Sequence, residues 1–193
     1  MRYPNGLKKR ATVSSHNGHT YSNRGMSLEE DINVTNEYYL QTDRAIIHKK
    51  PTPVQIVRVH YPKRSAAVIT EGYFKQASTT DYNGIYKNKY IDFEAKETNN
   101  KTSFPLANIH EHQIEHIKGI LRHGGICFIL IRFSFYHETY YVKGENVISY
   151  WNDQLNRGKK SVSYKQIQKD GYLIPWKYQQ RVDYLEVIDR LYF

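Results

Sequence analysis

The chain has 193 residues, a length that favours one domain with a substantial hydrophobic core. A hydrophobic content of 39% argues against disorder over the full length, and a single cysteine excludes a disulfide scaffold. The 28 Lys and Arg residues outnumber the 19 Asp and Glu residues, and the net charge of +9 indicates a polyanionic partner. The lack of a membrane span or secretory signal predicts a cytoplasmic protein without a membrane partner.

The N-terminal segment is basic and has no regular apolar pattern. Residues 1–24 carry five Lys or Arg side chains and no acidic one, and they are rich in Asn, Gly, Ser and His. This composition predicts a flexible basic arm over residues 1–24, followed by a single domain over residues 25–193. Such an arm can contact phosphates, but a solvated tail without a partner has the same composition.

Residues 28–40 have the features of an amphipathic helix. Ser27 is a favourable N-cap, and three acidic residues follow in the first turn, where the helix dipole favours negative charge. A short strand is expected over residues 44–48, before two prolines interrupt regular structure.

A β-hairpin is predicted over about residues 54–74. Residues 54–59 and 66–70 are rich in β-formers and flank a turn-like Tyr-Pro-Lys-Arg sequence. The hairpin carries most of a second basic stretch, residues 48–75, in which aromatic residues are interleaved with the cations. This mixture suits a nucleic-acid backbone with unstacked bases, although lysines that blunt an exposed strand edge give the same pattern.

The next segment predicts a strand with one polar face. Asn83-Gly84 is a strong turn signal, and residues 90–96 after it alternate between apolar and polar side chains. The polar face of that strand carries Asp92, Glu94 and Lys96.

The C-terminal half adds helices and further strands. A helix is predicted over residues 110–122, and the continuous apolar run of residues 126–133 is typical of a strand that is buried on both faces. An antiparallel neighbour is expected over residues 139–142, and short helices near residues 145–153, 164–169 and 182–191. Strands mixed with helices in this way predict an α/β fold with a mixed central sheet flanked by helices.

Three residues form the strongest candidate for a catalytic site. If Asp81 and Glu94 lie on neighbouring strands, their carboxylates can share a divalent cation, with Lys96 beside them because it shares a face with Glu94. The cation would polarise a phosphoryl oxygen and activate water, and the ammonium group would orient that water or stabilise developing charge. The same pattern also fits a strand whose polar face simply meets water.

A second motif points to zinc. Residues 112–116 match H-x-x-E-H, which places His112 and His116 one turn apart on a helix. That class of protease needs a further acidic ligand and is usually built into larger chains, and a basic surface does not favour it. We therefore expect these histidines to lie on an exposed helix face or near phosphates.

Six segments of the chain closely resemble the RecU family of Holliday junction resolvases, over about residues 20–135. They are Asn23-Arg-Gly-Met-Ser-Leu-Glu-Glu, His48-Lys-Lys-Pro-Thr-Pro-Val-Gln-Ile-Val, Tyr61-Pro-Lys-Arg-Ser, Ser78-Thr-Thr-Asp-Tyr-Asn-Gly, Tyr90-Ile-Asp-Phe-Glu-Ala-Lys-Glu-Thr and His112-Gln-Ile-Glu-His.

The resemblance implies the restriction-endonuclease-like fold of the PD-(D/E)XK nucleases, with the hairpin as a projecting stalk. It implies a homodimer that uses Mg²⁺, with Mn²⁺ as a substitute, to cut four-way DNA junctions by symmetric paired nicks during recombination and DNA repair. The recombinase and the branch-migration machinery are further expected partners.

The resemblance also implies roles for individual residues. The expected metal-site residues are Thr79, Asp81, Glu94 and Gln113. Lys96 takes the place of the lysine that stabilises the transition state, and Glu29 takes that of the family's first-helix glutamate. In the stalk, Arg64 is the first choice for a junction contact, and the other expected DNA-binding residues are Arg58, Tyr61, Lys63 and Lys75.

Two other functional classes fit the same sequence. A related PD-(D/E)XK nuclease would cut linear duplex as well as a junction. A non-catalytic recombination modulator that retains the fold would bind junctions without nicking them.

Overall fold

The computed structural model describes residues 27–75 and 79–193, and these divide into two compact units. The larger unit, called the body here, comprises residues 27–51 and 79–193. The smaller, called the hairpin unit, comprises residues 52–75. The predicted basic arm, residues 1–24, lies outside the described residues. No helix within the described ranges has the length and apolarity needed to cross a membrane.

Regular structure covers most of both units. The described helices are α1 (Leu28–Gln41), α2 (Glu111–Arg122), α3 (Gly144–Arg157), α4 (Tyr164–Asp170) and α5 (Tyr184–Tyr192). The described strands are β1 (Ile46–Lys49), β2 (Val54–His60), β3 (Val68–Phe74), β4 (Tyr82–Tyr86), β5 (Lys89–Thr98), β6 (Ser103–Pro105), β7 (Ile126–Phe133), β8 (Glu138–Lys143), β9 (Ser161–Ser163) and β10 (Tyr172–Ile174).

The body is built around a six-stranded mixed sheet. Its strand order is β1-β4-β5-β7-β8-β10, and only the β5–β7 pair is parallel. A parallel pair needs a crossover connection, and α2 lies in the segment that links these two strands. The predicted α/β class with a mixed central sheet is confirmed, and the architecture is consistent with a restriction-endonuclease-like fold.

Two apolar clusters cover the two faces of the sheet. One includes Ile32 of α1 and Leu185 of α5, which pack with Phe93 of β5. The other includes Ile117 of α2 and Val147 of α3. The central strand β7 is buried along its whole length, as its continuous apolar run predicted.

Helix α1 forms where the N-terminal capping signals predicted it. The Ser27 side chain accepts a hydrogen bond from the Glu30 backbone N–H, and the Glu30 carboxylate accepts one from the Ser27 N–H. This reciprocal pair satisfies two donors that a helix start leaves free. The helix therefore begins at Leu28, and it carries Glu29 in its first turn.

The predicted turn at Asn83-Gly84 is wrong, because both residues lie inside β4. The turn to β5 falls on Lys87 and Asn88, whose φ angles are 45° and 62°. Gly84 is needed for strand packing instead, since a Cβ at this position would lie 2.1 Å from the Ile46 carbonyl oxygen of β1. The glycine thus allows β1 to pair closely with β4.

The hairpin unit consists of β2 and β3, which pair antiparallel from Val54–Phe74 to His60–Val68. A single 3₁₀ turn, Arg64–Ala66, lies between the strands. The second strand begins two residues later than predicted, and every residue of β2 is exposed. The predicted hairpin is present, and its use as a projecting stalk stays a prediction.

Candidate active site

The register of two strands brings Asp81 opposite Glu94. Tyr82 is the first residue of β4 and pairs with Phe93 of β5, so the preceding residue, Asp81, is carried to the position of Glu94. Lys96 follows on the same face of β5, and its Nζ lies 2.8 Å from Oε1 of Glu94. Two carboxylates and one ammonium group therefore converge, as the strand pattern predicted.

Glu94 has an unusual electrostatic environment. The residue is 1% exposed, and burial together with repulsion from Asp81 raises the pKa of its carboxyl to about 7, although Lys96 opposes the shift. Its Oε2 atom is buried without a hydrogen-bond partner. A buried carboxylate oxygen that lacks a donor and lies beside a second carboxylate suits a divalent cation, because Mg²⁺ prefers oxygen ligands.

The Tyr82 hydroxyl lies close enough to three acidic side chains to be affected by their charge. Burial raises the pKa of its hydroxyl, and the nearby charges of Glu29, Asp81 and Glu94 raise it further. The hydroxyl lies 3.5 Å from the Glu29 backbone oxygen, so the start of α1 reaches the same region. The Glu29 carboxylate forms an ion pair with Lys49 at 2.5 Å. The family resemblance pointed to Glu29, and a catalytic role for Glu29 stays a prediction. Tyr82 was not singled out, because its aromatic ring gave no sign of its polar surroundings.

The other two predicted metal-site residues have partners in the protein. The hydroxyl of Thr79 lies 3.4 Å from the Thr80 carbonyl oxygen. Gln113 is buried in the first turn of α2, and its Oε1 accepts a hydrogen bond of 3.1 Å from the His110 N–H. An amide oxygen has a second lone pair, so this bond leaves one acceptor position. A metal-binding role for Thr79 and Gln113 stays a prediction.

The predicted DNA-binding residues belong to the hairpin unit. Arg58 and Tyr61 are largely exposed, and the Nε of Arg58 lies 4.0 Å from a Glu71 carboxylate oxygen. Lys63 and Lys75 are also exposed, and Arg64 begins the 3₁₀ turn between the strands. These positions suit contact with a large partner, but their role in DNA binding stays a prediction.

Sequence reasoning missed a buried polar network around Asp92. The alternation of β5 placed Asp92 on a polar face, yet the residue is 0% exposed. Its carboxylate contacts side chains from four other positions: Lys50, Thr80, Tyr90 and His116. The only signal in the sequence was that Asp92 shares a strand face with Glu94 and Lys96.

The zinc motif does not form a metal site. Nε2 of His116 lies 3.2 Å from Oδ1 of Asp92, whereas the ring of His112 stacks on that of His110 with 5.4 Å between centroids. Within residues 27–75 and 79–193, no group of three or more His, Cys, Asp or Glu side chains is arranged to hold a metal. The acidic pair of Asp81 and Glu94 would need further oxygen ligands, such as water or a phosphate.

Comparison with known proteins identifies relatives along the whole chain. Residues 23–190 match the family model described as RecU, Recombination protein U. The chain is 63% identical to a protein of Oceanobacillus iheyensis named Holliday junction resolvase RecU, over 196 residues that cover 100% of both chains. Identities of 56% and 55% relate it to proteins of the same name from Geobacillus kaustophilus and Bacillus thuringiensis, with 100% of this chain and 98% of each relative covered.

Proposed function

Because this chain belongs to the RecU family of recombination proteins, we propose that it is a Mg²⁺-dependent endonuclease that resolves Holliday junctions. The observation that carries this proposal is the convergence of Asp81, the residue just before β4, with Glu94 and Lys96 on one face of β5. Acids and an ammonium group in one place suit hydrolysis of a phosphodiester. The reaction would take place in the cytoplasm, during homologous recombination and DNA repair.

Asp81 and Glu94 would hold the cation, with Thr79 and Gln113 as the further ligands that the family resemblance implies. Bound Mg²⁺, or Mn²⁺ in its place, supplies positive charge that polarises the scissile phosphate and favours deprotonation of water. The unpartnered Oε2 of Glu94 supports this assignment, because an unpaired acceptor in a buried position is otherwise unfavourable.

Lys96 would stabilise the charge that gathers on the phosphate oxygens in the transition state. Its ammonium group is held 2.8 Å from Glu94, and its side chain is 21% exposed, so a substrate can approach it. A fixed cation next to the reacting group lowers the barrier without reorganisation during the reaction. Glu29, from the first turn of α1, would act as an additional acidic catalytic residue at the edge of the site.

The basic hairpin and a dimer would supply junction selectivity. Phosphate contacts by Arg58, Lys63, Arg64 and Lys75, with Tyr61 stacking on an exposed base, suit the open centre of a four-way junction. A twofold homodimer would present two identical sites to a nearly twofold substrate and so would make paired, symmetric nicks. The recombinase and the branch-migration machinery are proposed as further partners.

The experiment that tests this function compares two substrates. Wild-type protein is incubated with Mg²⁺ and either a labelled mobile four-way junction or linear duplexes that carry the sequences of its arms. We expect symmetric nicks in the junction and none in the linear DNA. Equal cleavage of both substrates would assign a general duplex nuclease, and binding without nicks in either Mg²⁺ or Mn²⁺ would assign a non-catalytic junction-binding protein.

A further inference from the structure

Asp92 is a fully buried carboxylate two residues before Glu94 on β5. Burial of a charged group is unfavourable unless the group is paired and hydrogen-bonded. Four side chains form hydrogen bonds with the Asp92 carboxylate: the Thr80 hydroxyl, Lys50 Nζ at 2.8 Å, the Tyr90 hydroxyl at 2.9 Å and His116 Nε2 at 3.2 Å. These partners come from separate segments of the body, so Asp92 joins parts of the chain that are distant in sequence.

Two of these partners, Thr80 and Lys50, connect Asp92 to the segment that carries Asp81. Thr80 precedes Asp81 in the chain, and its hydroxyl donates a hydrogen bond to Oδ1 of Asp92. Lys50 donates a hydrogen bond from its backbone N–H to the Asp81 carbonyl oxygen at 2.7 Å, and another from Nζ to the Thr80 hydroxyl at 2.9 Å. The main chain and the side chain of Lys50 thus hold the same segment that Asp92 holds through Thr80.

The segment needs such an attachment because of its place in the chain. Strand β4 begins only at Tyr82, so residues 79–81 precede the strand itself. Among the described residues, Thr79 is the first residue of the body after the hairpin unit, so the segment also lies at an end of the described chain. Side-chain hydrogen bonds to Thr80 therefore supplement the contacts that keep Asp81 opposite Glu94.

We propose that Asp92 is a positioning residue, which fixes residues 79–81 against β5 through Thr80 and Lys50 and thereby holds Asp81 at the distance from Glu94 that a divalent cation requires. The inference rests on the proposed function for its metal readout. It adds Asp92, Lys50 and Thr80 to the site as groups that act through Asp81, without contact with the substrate.

The test uses Asp92→Asn and a pair of Thr80 variants. Thr80→Val removes the hydroxyl at nearly constant shape, and Thr80→Ser retains it. Asp183→Asn is the matched control, because Asp183 is also a buried aspartate of the body with three partners: Tyr39 at 2.6 Å, Arg44 at 3.0 Å and Lys177 at 3.1 Å. Mn²⁺ affinity is measured by calorimetry, and backbone hydrogen exchange is measured in the metal-free proteins.

We expect Asp92→Asn and Thr80→Val to weaken Mn²⁺ binding about tenfold or more, as loss of an outer partner of a metal ligand does. Both should speed exchange at residues 79–84, while Thr80→Ser stays close to wild type. Asp183→Asn should lose thermal stability but retain Mn²⁺ affinity and protection at residues 79–84. If Asp92→Asn does not fold, the comparison of Thr80→Val with Thr80→Ser still tests whether the hydrogen bond between Thr80 and Asp92 positions the segment.

Two results separate failure of this inference from failure of the proposed function. Unchanged Mn²⁺ affinity and unchanged exchange at residues 79–84 in Thr80→Val would overturn the positioning role. If the wild-type protein itself binds no Mn²⁺, the metal-dependent function fails. In that case, exchange at residues 79–84 still decides whether Asp92 positions the segment.

Discussion

At the scale of single residues, the site places two carboxylates close together, although burial and mutual repulsion disfavour their charged forms. Glu94 is buried beside another carboxylate, and one of its oxygens lacks a donor. Lys96 offsets this only in part, since the pKa of Glu94 is still raised to about 7. Perturbed groups of this kind concentrate at functional sites, where their charge is matched to a ligand.

The raised pKa of Glu94 predicts how stability depends on pH without metal. The folded protein binds this proton more tightly than the unfolded chain, for which the ordinary value is 4.5. The stabilising contribution is therefore fully present below pH 4.5 and is lost as pH rises through about 7. Glu94→Gln mimics the protonated form, so its melting temperature relative to wild type should be higher at pH 8 than at pH 5.

Thermal unfolding in a chelator measures this difference. Glu115→Gln, at an exposed carboxyl of α2 with a side chain that is 61% exposed, controls for the change in net charge. A difference between Glu94→Gln and wild type that is the same at both pH values would contradict the prediction.

The residues of the site were predictable to different degrees. Glu94 and Lys96 were predicted to share a face from the alternation of side chains along a strand. Asp81 was expected at the end of a strand before a turn at Asn83-Gly84, but it lies just before the start of β4, and the turn falls on Lys87 and Asn88. The burial of Asp92 was not predicted, because alternation shows which residues share a face but not whether a helix covers that face. Residues of α2, including His116, provide this cover, and their contact with β5 joins positions 24 residues apart.

At the scale of elements, close packing between strands explains why the turn predicted at Asn83-Gly84 is wrong. Asn-Gly is a strong hairpin signal, yet here the glycine lies within β4 because the backbone of β1 passes too close for a side chain. Long apolar or well-capped elements such as β7 and α1 were predicted closely. The three-residue strands β6, β9 and β10 were not predicted, because they are too short to show a period.

Gly84→Ala is therefore expected to destabilise the body. The added Cβ would lie 2.1 Å from the Ile46 carbonyl oxygen and 2.6 Å from the Ile47 Cα, so β1 must move away from β4. Overpacking of this kind destabilises by about 3 kcal/mol. Urea unfolding, monitored by circular dichroism, gives the free energy of unfolding.

The matched control is Gly119→Ala in α2. A Cβ added at Gly119 would meet no atom of a neighbouring element within 4 Å, so the same substitution should stabilise the helix by about 1 kcal/mol. Equal effects of the two substitutions would show that close packing of β1 does not constrain position 84.

At the scale of the whole molecule, the proposed catalytic residues and the proposed DNA-binding cations lie in different units. The body carries the acidic pair and Lys96, and the hairpin unit carries the cations proposed to bind DNA. The net charge of +9 predicted a polyanionic partner, and the order of strands and helices predicted the mixed sheet. Neither feature could distinguish a junction from duplex DNA as the substrate. The prediction of a junction came from the family resemblance.

If the hairpin contacts phosphates, its cations must contribute to the salt dependence of junction binding. Replacing Lys63 and Arg64 together by Gln should weaken junction affinity and reduce the slope of log K against log salt by about 2. Filter binding at several salt concentrations measures the slope. The control replaces Lys165 and Lys169, exposed cations of α4, by Gln, and an equal loss of slope in that control would argue against a special role for the hairpin.

The most direct test of the central claim is single-turnover cleavage of a labelled four-way junction with Mg²⁺, comparing wild type with Asp81→Ala and Lys96→Ala. Junction binding is measured alongside in a chelator. We expect both variants to bind the junction as wild type does and to lose cleavage by at least about a hundredfold. Asp81→Ala removes a proposed metal ligand, and Lys96→Ala removes the cation proposed to stabilise the transition state. Wild-type rates of cleavage by Asp81→Ala or Lys96→Ala would contradict the assignment of this cluster as the catalytic site.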